Sequence, residues 1–160
     1  MIRSATPDDD PFIAESFRSM WLDIGVAQND IVGDAHERVI EFIAHARAEL
    51  EFCGAIAEED GARVGCAAAQ CFAGLYPLVL KPSLRKYGYV WGVWVAPSQR
   101  RTGLGRRLTE HCIESLRARD CTRVLLHASP MGRSVYEALG FTPTNELALN
   151  LSPAAVPPPR

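Results

Sequence analysis

The dipeptide Asp60-Gly61, set between two apolar runs, is one that favours a tight hairpin. A tight type I′ turn needs positive φ at two successive residues, and Asp-Gly accommodates that at low cost. Residues 53–72, "CGAIAEEDGARVGCAAAQCF", therefore read as two antiparallel strands folded back on each other. The stretch 73–86, "AGLYPLVLKPSLRK", has two prolines and no steady period, and is expected to be an irregular excursion that walls part of a site. After it "YGYVWGVWVA" is the most β-prone run of the chain, with two glycines that let something approach its backbone closely; Pro97 ends it.

Helical spacing surrounds this meander. "IRSA" begins a short strand, and Thr6, Pro7 and Asp9 open a helix with a cap, a first-turn proline and an acid three residues on. Ile13, Phe17, Met20, Trp21 and Ile24 recur along it, and Gly25 stops it. A second helix starts near Asp34 and carries Val39, Ile40, Ile43, Ala46 and Leu50 on one stripe to about Phe52. From Gly103 a third follows Leu104, Leu108, Cys112 and Leu116 to about Arg119. "TRVLLHA" is a buried strand, Ser129-Pro130 opens a fourth helix that ends at Gly140, and "FTPTNELALNL" reads as a final strand. The expectation is a mixed α/β chain of the α+β type: one domain over residues 1–151, and a disordered proline-rich tail over 152–160.

Composition removes several function classes. With 160 residues, 48% hydrophobic and 22% charged, there is enough apolar material for one real core. No apolar run is long enough for a membrane span, and "MIRSATPDDD" lacks the order of a signal peptide, so a cytoplasmic protein is expected. The five cysteines, Cys53, Cys66, Cys71, Cys112 and Cys121, read as reduced core residues. His36, His45, His111 and His127 fall at no metal-ligand spacing, so no metal is expected. Residues 1–60 hold 14 of the 19 acids but 4 of the 17 bases, a segregation that fits a cleft polarised between an anionic cofactor and a cationic acceptor. Nucleic-acid binding has no supporting motif.

The chemistry concentrates in residues 93–108, "VWVAPSQRRTGLGRRL". The first N–H groups of a helix have no internal partner and carry the positive end of its dipole. Gly103 and Gly105 clear space above them, and Arg100, Arg101, Arg106 and Arg107 add positive charge, so a phosphate or pyrophosphate is the natural guest. Neither the P-loop nor the Rossmann pattern is present.

This stretch resembles the acyl-CoA-binding signature of the GNAT superfamily of N-acetyltransferases, whose [RQ]-x-x-G-x-[GA] pattern falls on Arg100, Gly103 and Gly105. The downstream "HASPMGRSVYEALGF" is similar to the superfamily's second signature, ending in Tyr136, Gly140 and Phe141. The resemblance implies a twisted mixed sheet of about six to seven strands flanked by about four helices, with strands four and five splayed to admit pantetheine. It implies acetyl-CoA as cosubstrate, met by Val93, Trp94 and Val95, by Arg100, Arg101, Thr102, Gly103, Leu104, Gly105 and Arg106, and by Ser129 and Tyr136. Ser129 stands where the family often has Asn.

An alkylamine attacks a thioester only as the free base, and the departing thiolate needs a proton. The resemblance gives Tyr136 the acid's role, while a strand-four N–H around Val95 faces the developing oxyanion. Strand four has no carboxylate, so the base is left between His127, Glu146 and water. Asp23, Asp30, Tyr89 and Trp91 are candidate acceptor residues, with Asp34, Glu37, Tyr76 and Trp94 near them in sequence. The expected activity is transfer of an acetyl group to a primary amine of a small, cationic acceptor by direct attack in a ternary complex. The alternatives are a protein N-terminal or lysine acetyltransferase and a non-catalytic acyl-CoA-binding module. Partners are thus a small-molecule or peptide amine; no nucleic acid and no membrane are expected, and a homodimer is left open.

Overall fold

The computed structural model describes residues 1–72, 74 and 76–151. It divides into two compact units, Met1–Leu126 and the segment from His127 on. The first holds a five-stranded sheet in chain order: β1 (Ile2–Ser4), β2 (Cys53–Glu59), β3 (Ala62–Cys71), β4 (Tyr87–Val95) and β5 (Arg123–Leu125). The pairings are antiparallel up to β4, and β5 then joins β4 in parallel. A parallel neighbour needs a crossover, and α3 (Leu104–Arg117) provides it. The other helices of this unit are α1 (Asp10–Asp23) and α2 (Ala35–Glu49). Among the described residues no helix is long and apolar enough to cross a membrane.

The hairpin turn has the backbone its dipeptide demands, with φ of 49° at Asp60 and 79° at Gly61. Alternation along β2 and β3 then sorts side chains between two helical layers. Ala55, Ala57, Ala67 and Ala69 meet Leu108, Cys112 and Leu116 of α3, whereas Ile56, Cys66 and Ala68 meet Ile13, Ile43 and Ala46 of α1 and α2. Small residues in the central strands let both layers come close. Gly88 takes this furthest: a Cβ there would stand 2.6 Å from Leu116 Cδ1. All five cysteines are free, and burial pushes the Cys66 thiol up to about 12, which keeps it an inert core group.

Several local predictions shift. The first helix begins as a 3-10 turn at Pro7–Asp9 before α1 proper, and Asp9 accepts the Thr6 N–H at 2.8 Å as its spacing predicts. Beyond β4 the sheet is smaller than the six to seven strands expected. β5 covers Arg123–Leu125 instead of 122–128, and residues 141–151 contain no strand among the described residues. Alternation in "ELALNL" suits a strand only if a paired edge buries one face. Here Leu147, Leu149 and Leu151 are 95%, 82% and 90% exposed, and Pro143 lacks the N–H a ladder would use. The tail over 152–160 lies outside the described residues.

In the second unit α4 (Arg133–Ala138) follows a turn in which the Gly132 and Arg133 N–H groups bond Ser129 O, so the helix starts later than Ser129-Pro130 indicated. Gly140, at φ 90°, closes it as predicted.

Candidate active site

β4 is the strand around which the site is built, because its two halves have different neighbours. Tyr87, Gly88 and Tyr89 pair with Arg123, Val124 and Leu125 of β5, and from Val90 to Val95 no strand pairs with that edge among the described residues. On its other side β4 stays on β3 throughout, with one irregularity: Gly92 and Val93 together face the single residue Ala67. This is a β-bulge, and Gly92 takes the left-handed φ of 59° that it needs. The extra residue switches alternation. Trp91 and Trp94, three apart, both turn to the α1 and α2 layer, while Val90, Val93 and Val95 share the α3 side. Trp91 Nε1 donates to Gln70 Oε1 at 2.6 Å, its ring meets Phe17 and Phe42 edge-on, and Tyr89 stacks on Phe72.

β4 runs through a short turn into α3, and there the backbone forms an anion cradle. Arg101 and Gly103 both adopt positive φ, 66° and 83°, which turns successive N–H groups toward one side. None of the six N–H groups from Arg101 to Arg106 meets an acceptor among the described residues. A Cβ on Gly103 would meet nothing within 4 Å, and one on Gly105 only Val95 Cγ2 at 3.9 Å. Packing therefore explains Gly88 and leaves Gly105 unexplained; open space over bare N–H donors suits a guest of several anionic oxygens.

Guanidinium groups around the cradle divide into two kinds. Arg100 donates through Nε to Val95 O at 3.0 Å and through Nη2 to Asp23 Oδ2 at 2.6 Å, and Arg106 pairs with Glu110 at 2.9 Å. Arg101 and Arg107 are exposed, and their guanidinium groups make no hydrogen bond or ion pair among the described residues. Thr102 Oγ1 donates to Gln99 O at 2.7 Å, and Leu104 packs on the α3 core.

In the second unit Ser129 Oγ accepts the Gly132 N–H at 3.2 Å, a turn contact. The Tyr136 ring lies so close to Gly132 that a Cβ would come within 2.9 Å of Cε2, and it meets Phe141 edge-on at 6.0 Å. Burial raises the Tyr136 phenol above its ordinary value, so it holds its proton at neutral pH. The two candidate bases lie beside each other, His127 Nε2 and Glu146 Oε1 at 3.3 Å, with both side chains more than two-thirds exposed.

A family model described as the acetyltransferase (GNAT) family matches residues 13–141. The chain belongs to that family. Among solved structures, the GCN5-related N-acetyltransferase of Ralstonia eutropha superposes with a TM-score of 0.79 at 21% identity, over 94% of this chain and 97% of that one. An acetyltransferase from Clostridium acetobutylicum, solved with acetyl-CoA, gives 0.78 at 24%, over 94% and 96%. AAC(6')-Iy in complex with the bisubstrate analogue CoA-S-monomethyl-acetylneamine gives 0.68 at 21%, over 95% and 97%. At these identities the likeness is one of fold. No curated protein matches the sequence. Family membership makes this GNAT chain an acyl-CoA-dependent N-acetyltransferase with acetyl-CoA as cosubstrate, and the six N–H groups without an acceptor among the described residues, with the Val90–Val95 edge of β4 that no described strand pairs, fit such a molecule.

Sequence reasoning missed the bulge and the Arg100–Asp23 pair. The first had a signal: two tryptophans three residues apart with glycine between them cannot share a face of a regular strand. The second, spanning 77 positions, had none.

Proposed function

We propose that this GNAT enzyme transfers an acetyl group from acetyl-CoA to a primary amine by direct attack in a ternary complex. The observation that carries the reading is the run of six N–H groups at the start of α3 that meet no acceptor among the described residues, continuous with the stretch of β4 from Val90 to Val95 whose outer edge no described strand pairs. Acetyl-CoA supplies an activated acyl group and a thiolate leaving group. The chain supplies the rest: N–H groups from Arg101 to Arg106 for the pyrophosphate, with the guanidiniums of Arg101 and Arg107, and backbone polar groups of Val93, Trp94 and Val95 for the pantetheine arm. A strand-four N–H around Val95 faces the carbonyl oxygen as charge develops on it. Tyr136 is the general acid: its phenol is protonated at neutral pH and so has a proton to give, although burial makes it a weaker donor than an exposed phenol. Ser129 is assigned to the cofactor side, and His127, Glu146 or a water accepts the amine proton.

The acceptor is proposed to be a small cationic amine. Asp34 is taken up by Arg38 and Asp23 by Arg100, whereas Asp30 and Glu37 are exposed and have no ion pair among the described residues. Tyr89 and Trp91 stand on the α1 and α2 side of β4 as aromatic wall.

One experiment covers the whole reading. Acetyl-CoA raises the melting temperature of the wild type, and Gly103→Trp, which fills the open space, abolishes the rise. A panel of amines with acetyl-CoA gives turnover that favours polyamines and basic amino acids over acidic ones, and Tyr136→Phe lowers kcat at least about tenfold with little change in acetyl-CoA affinity. An equal melting shift in Gly103→Trp removes the phosphate assignment, and wild-type kcat in Tyr136→Phe removes the acid.

A further inference from the structure

Asp23 is the last residue of α1, where the helix presents unsatisfied carbonyls and favours a cation over a carboxylate. No basic residue of the last turn offsets it. Its compensation is tertiary: one oxygen, Oδ2, accepts from Trp94 Nε1 at 2.9 Å and from Arg100 Nη2 at 2.6 Å. Arg100 also donates through Nε to Val95 O, the last carbonyl of β4, at 3.0 Å. One guanidinium thus ties the end of α1 to the end of β4, immediately before the residue that carries the loop's unfavourable backbone. Arg101 at φ 66° is a non-glycine residue in the left-handed region, an unfavourable conformation that persists where neighbours over-determine it. The neighbours here are four side-chain contacts: Gln99 with Glu59, Arg100 with Val95 O and with Asp23, and Thr102 with Gln99 O.

We infer that Asp23 and Arg100 form a positioning pair that holds residues 101–106 in their anion-accepting conformation, so that Asp23 serves acetyl-CoA binding instead of meeting the acceptor. The inference rests on the proposal that these N–H groups bind the pyrophosphate. It assigns opposite tasks to neighbouring arginines. Arg100 has its charge matched by a carboxylate and acts through the backbone; Arg101 and Arg107 remain for the anion itself.

The sign of one substitution separates this from a plain charge effect. If Asp23 acted only as a negative charge near an anion site, Asp23→Asn would strengthen acetyl-CoA binding by removing repulsion and releasing Arg100. As a positioning residue, its loss weakens binding, because the loop is no longer held. Calorimetric titration of acetyl-CoA into the wild type, Asp23→Asn, Arg100→Gln and the double variant reads this directly. Each single variant is expected to bind about tenfold more weakly. The double variant is expected to lie within about twofold of either single one, because the two side chains act as one unit. Asp23→Glu is expected to recover most of the loss, and the acceptor KM at saturating acetyl-CoA is expected to stay within about twofold of wild type.

Unchanged or tighter acetyl-CoA binding in Asp23→Asn overturns the inference, as do effects that multiply in the double variant. A raised acceptor KM with unchanged acetyl-CoA affinity overturns it too and returns Asp23 to the acceptor. If Asp23→Asn fails to fold, Arg100→Gln breaks the same pair from its other side and is judged by the same criterion. A wild type that binds no acetyl-CoA defeats the functional reading and this inference together; a wild type that binds acetyl-CoA no better than the variants lacking the pair defeats this inference alone.

Discussion

Two clusters of arginine in this protein, one gathered from distant positions by the fold and one contiguous in sequence, differ in what faces them. Around the start of α1, Arg3 and Arg63 converge on Asp9, whose side chain is wholly buried. Arg3 reaches both carboxylate oxygens at 2.7 and 2.9 Å and Glu58 at 2.7 Å, and Arg63 adds a bond to Asp9 at 2.8 Å. Around the start of α3, four arginines share Asp23 and Glu110, and Arg101 and Arg107 have no carboxylate among the described residues. A cluster whose charges are matched stabilises the fold, and one with charge in excess, beside N–H donors that meet no acceptor among the described residues, is the one proposed to receive an anion. Arginine count therefore says little about a ligand until the partners are known.

The largest expected effect breaks the matched cluster. Arg3, then the Thr6 N–H and Arg63, hold the Asp9 carboxyl well below its ordinary value of 3.8, against the opposing effect of burial. A folded-state value below the unfolded one contributes stability that is fully present above about pH 4 and lost as pH falls through the folded value. Asp9→Asn, which leaves two guanidiniums short of a charge, is expected to destabilise by about 3 kcal/mol at pH 7, or roughly 6–12 °C in melting temperature. The gap to wild type should narrow as pH falls below about 4, while the acetyl-CoA melting shift of the folded variant is retained. A gap that is constant from pH 7 to pH 3 would show that packing, not charge, holds this corner together.

The second effect is smaller and opposite in kind. Gly105 lies in the first turn of α3 with room for a methyl group, so nothing in the folded chain demands glycine there. Replacing a helical glycine by alanine stabilises by up to about 1 kcal/mol. Gly105→Ala is therefore expected to raise the melting temperature of the free protein by about 1–4 °C with little change in acetyl-CoA binding, since the signature takes Gly or Ala here, whereas Gly105→Leu is expected to weaken acetyl-CoA binding about tenfold, since its branched side chain occupies the approach to the donors. Unchanged affinity in Gly105→Leu would mean that the anion does not come to this side of the turn.

What could be read in advance divides along a physical line. The Asp60-Gly61 turn, the stop at Gly25, the α3 stripe of Leu108, Cys112 and Leu116, and the glycine-arginine turn all depend on residues near one another in sequence, and the structure places each as expected. The bulge at Gly92–Val93 depends on register between β3 and β4, which neither strand determines alone. The acidic first sixty residues looked like a surface awaiting a cation. In the folded chain Asp9, Asp10, Asp23, Asp34, Glu51 and Glu58 all meet arginine or lysine, several from distant elements, and only pairing in space shows it. A final strand failed for a related reason, because alternation in 145–151 names a face without supplying the edge that would bury it.

The smallest effect tests the unmatched cluster within itself. Arg106 and Arg107 are adjacent, exposed and in the same helical turn, and they differ in that Arg106 has Glu110 one turn on. A guanidinium already paired at the surface has little charge left to offer, whereas the field of an unpaired one extends to a phosphate within a Debye length, about 10 Å at 0.1 M salt. Arg107→Gln is thus expected to weaken acetyl-CoA binding about fivefold at 0.05 M salt, and Arg106→Gln less than twofold. At 1 M salt, where the screening length falls to about 3 Å, both differences should shrink toward none. Titrations at the two salt concentrations check this. Equal losses for the two variants at low salt would show that pairing does not distinguish these arginines, and the contrast between matched and unmatched clusters would then hold for the buried cluster alone.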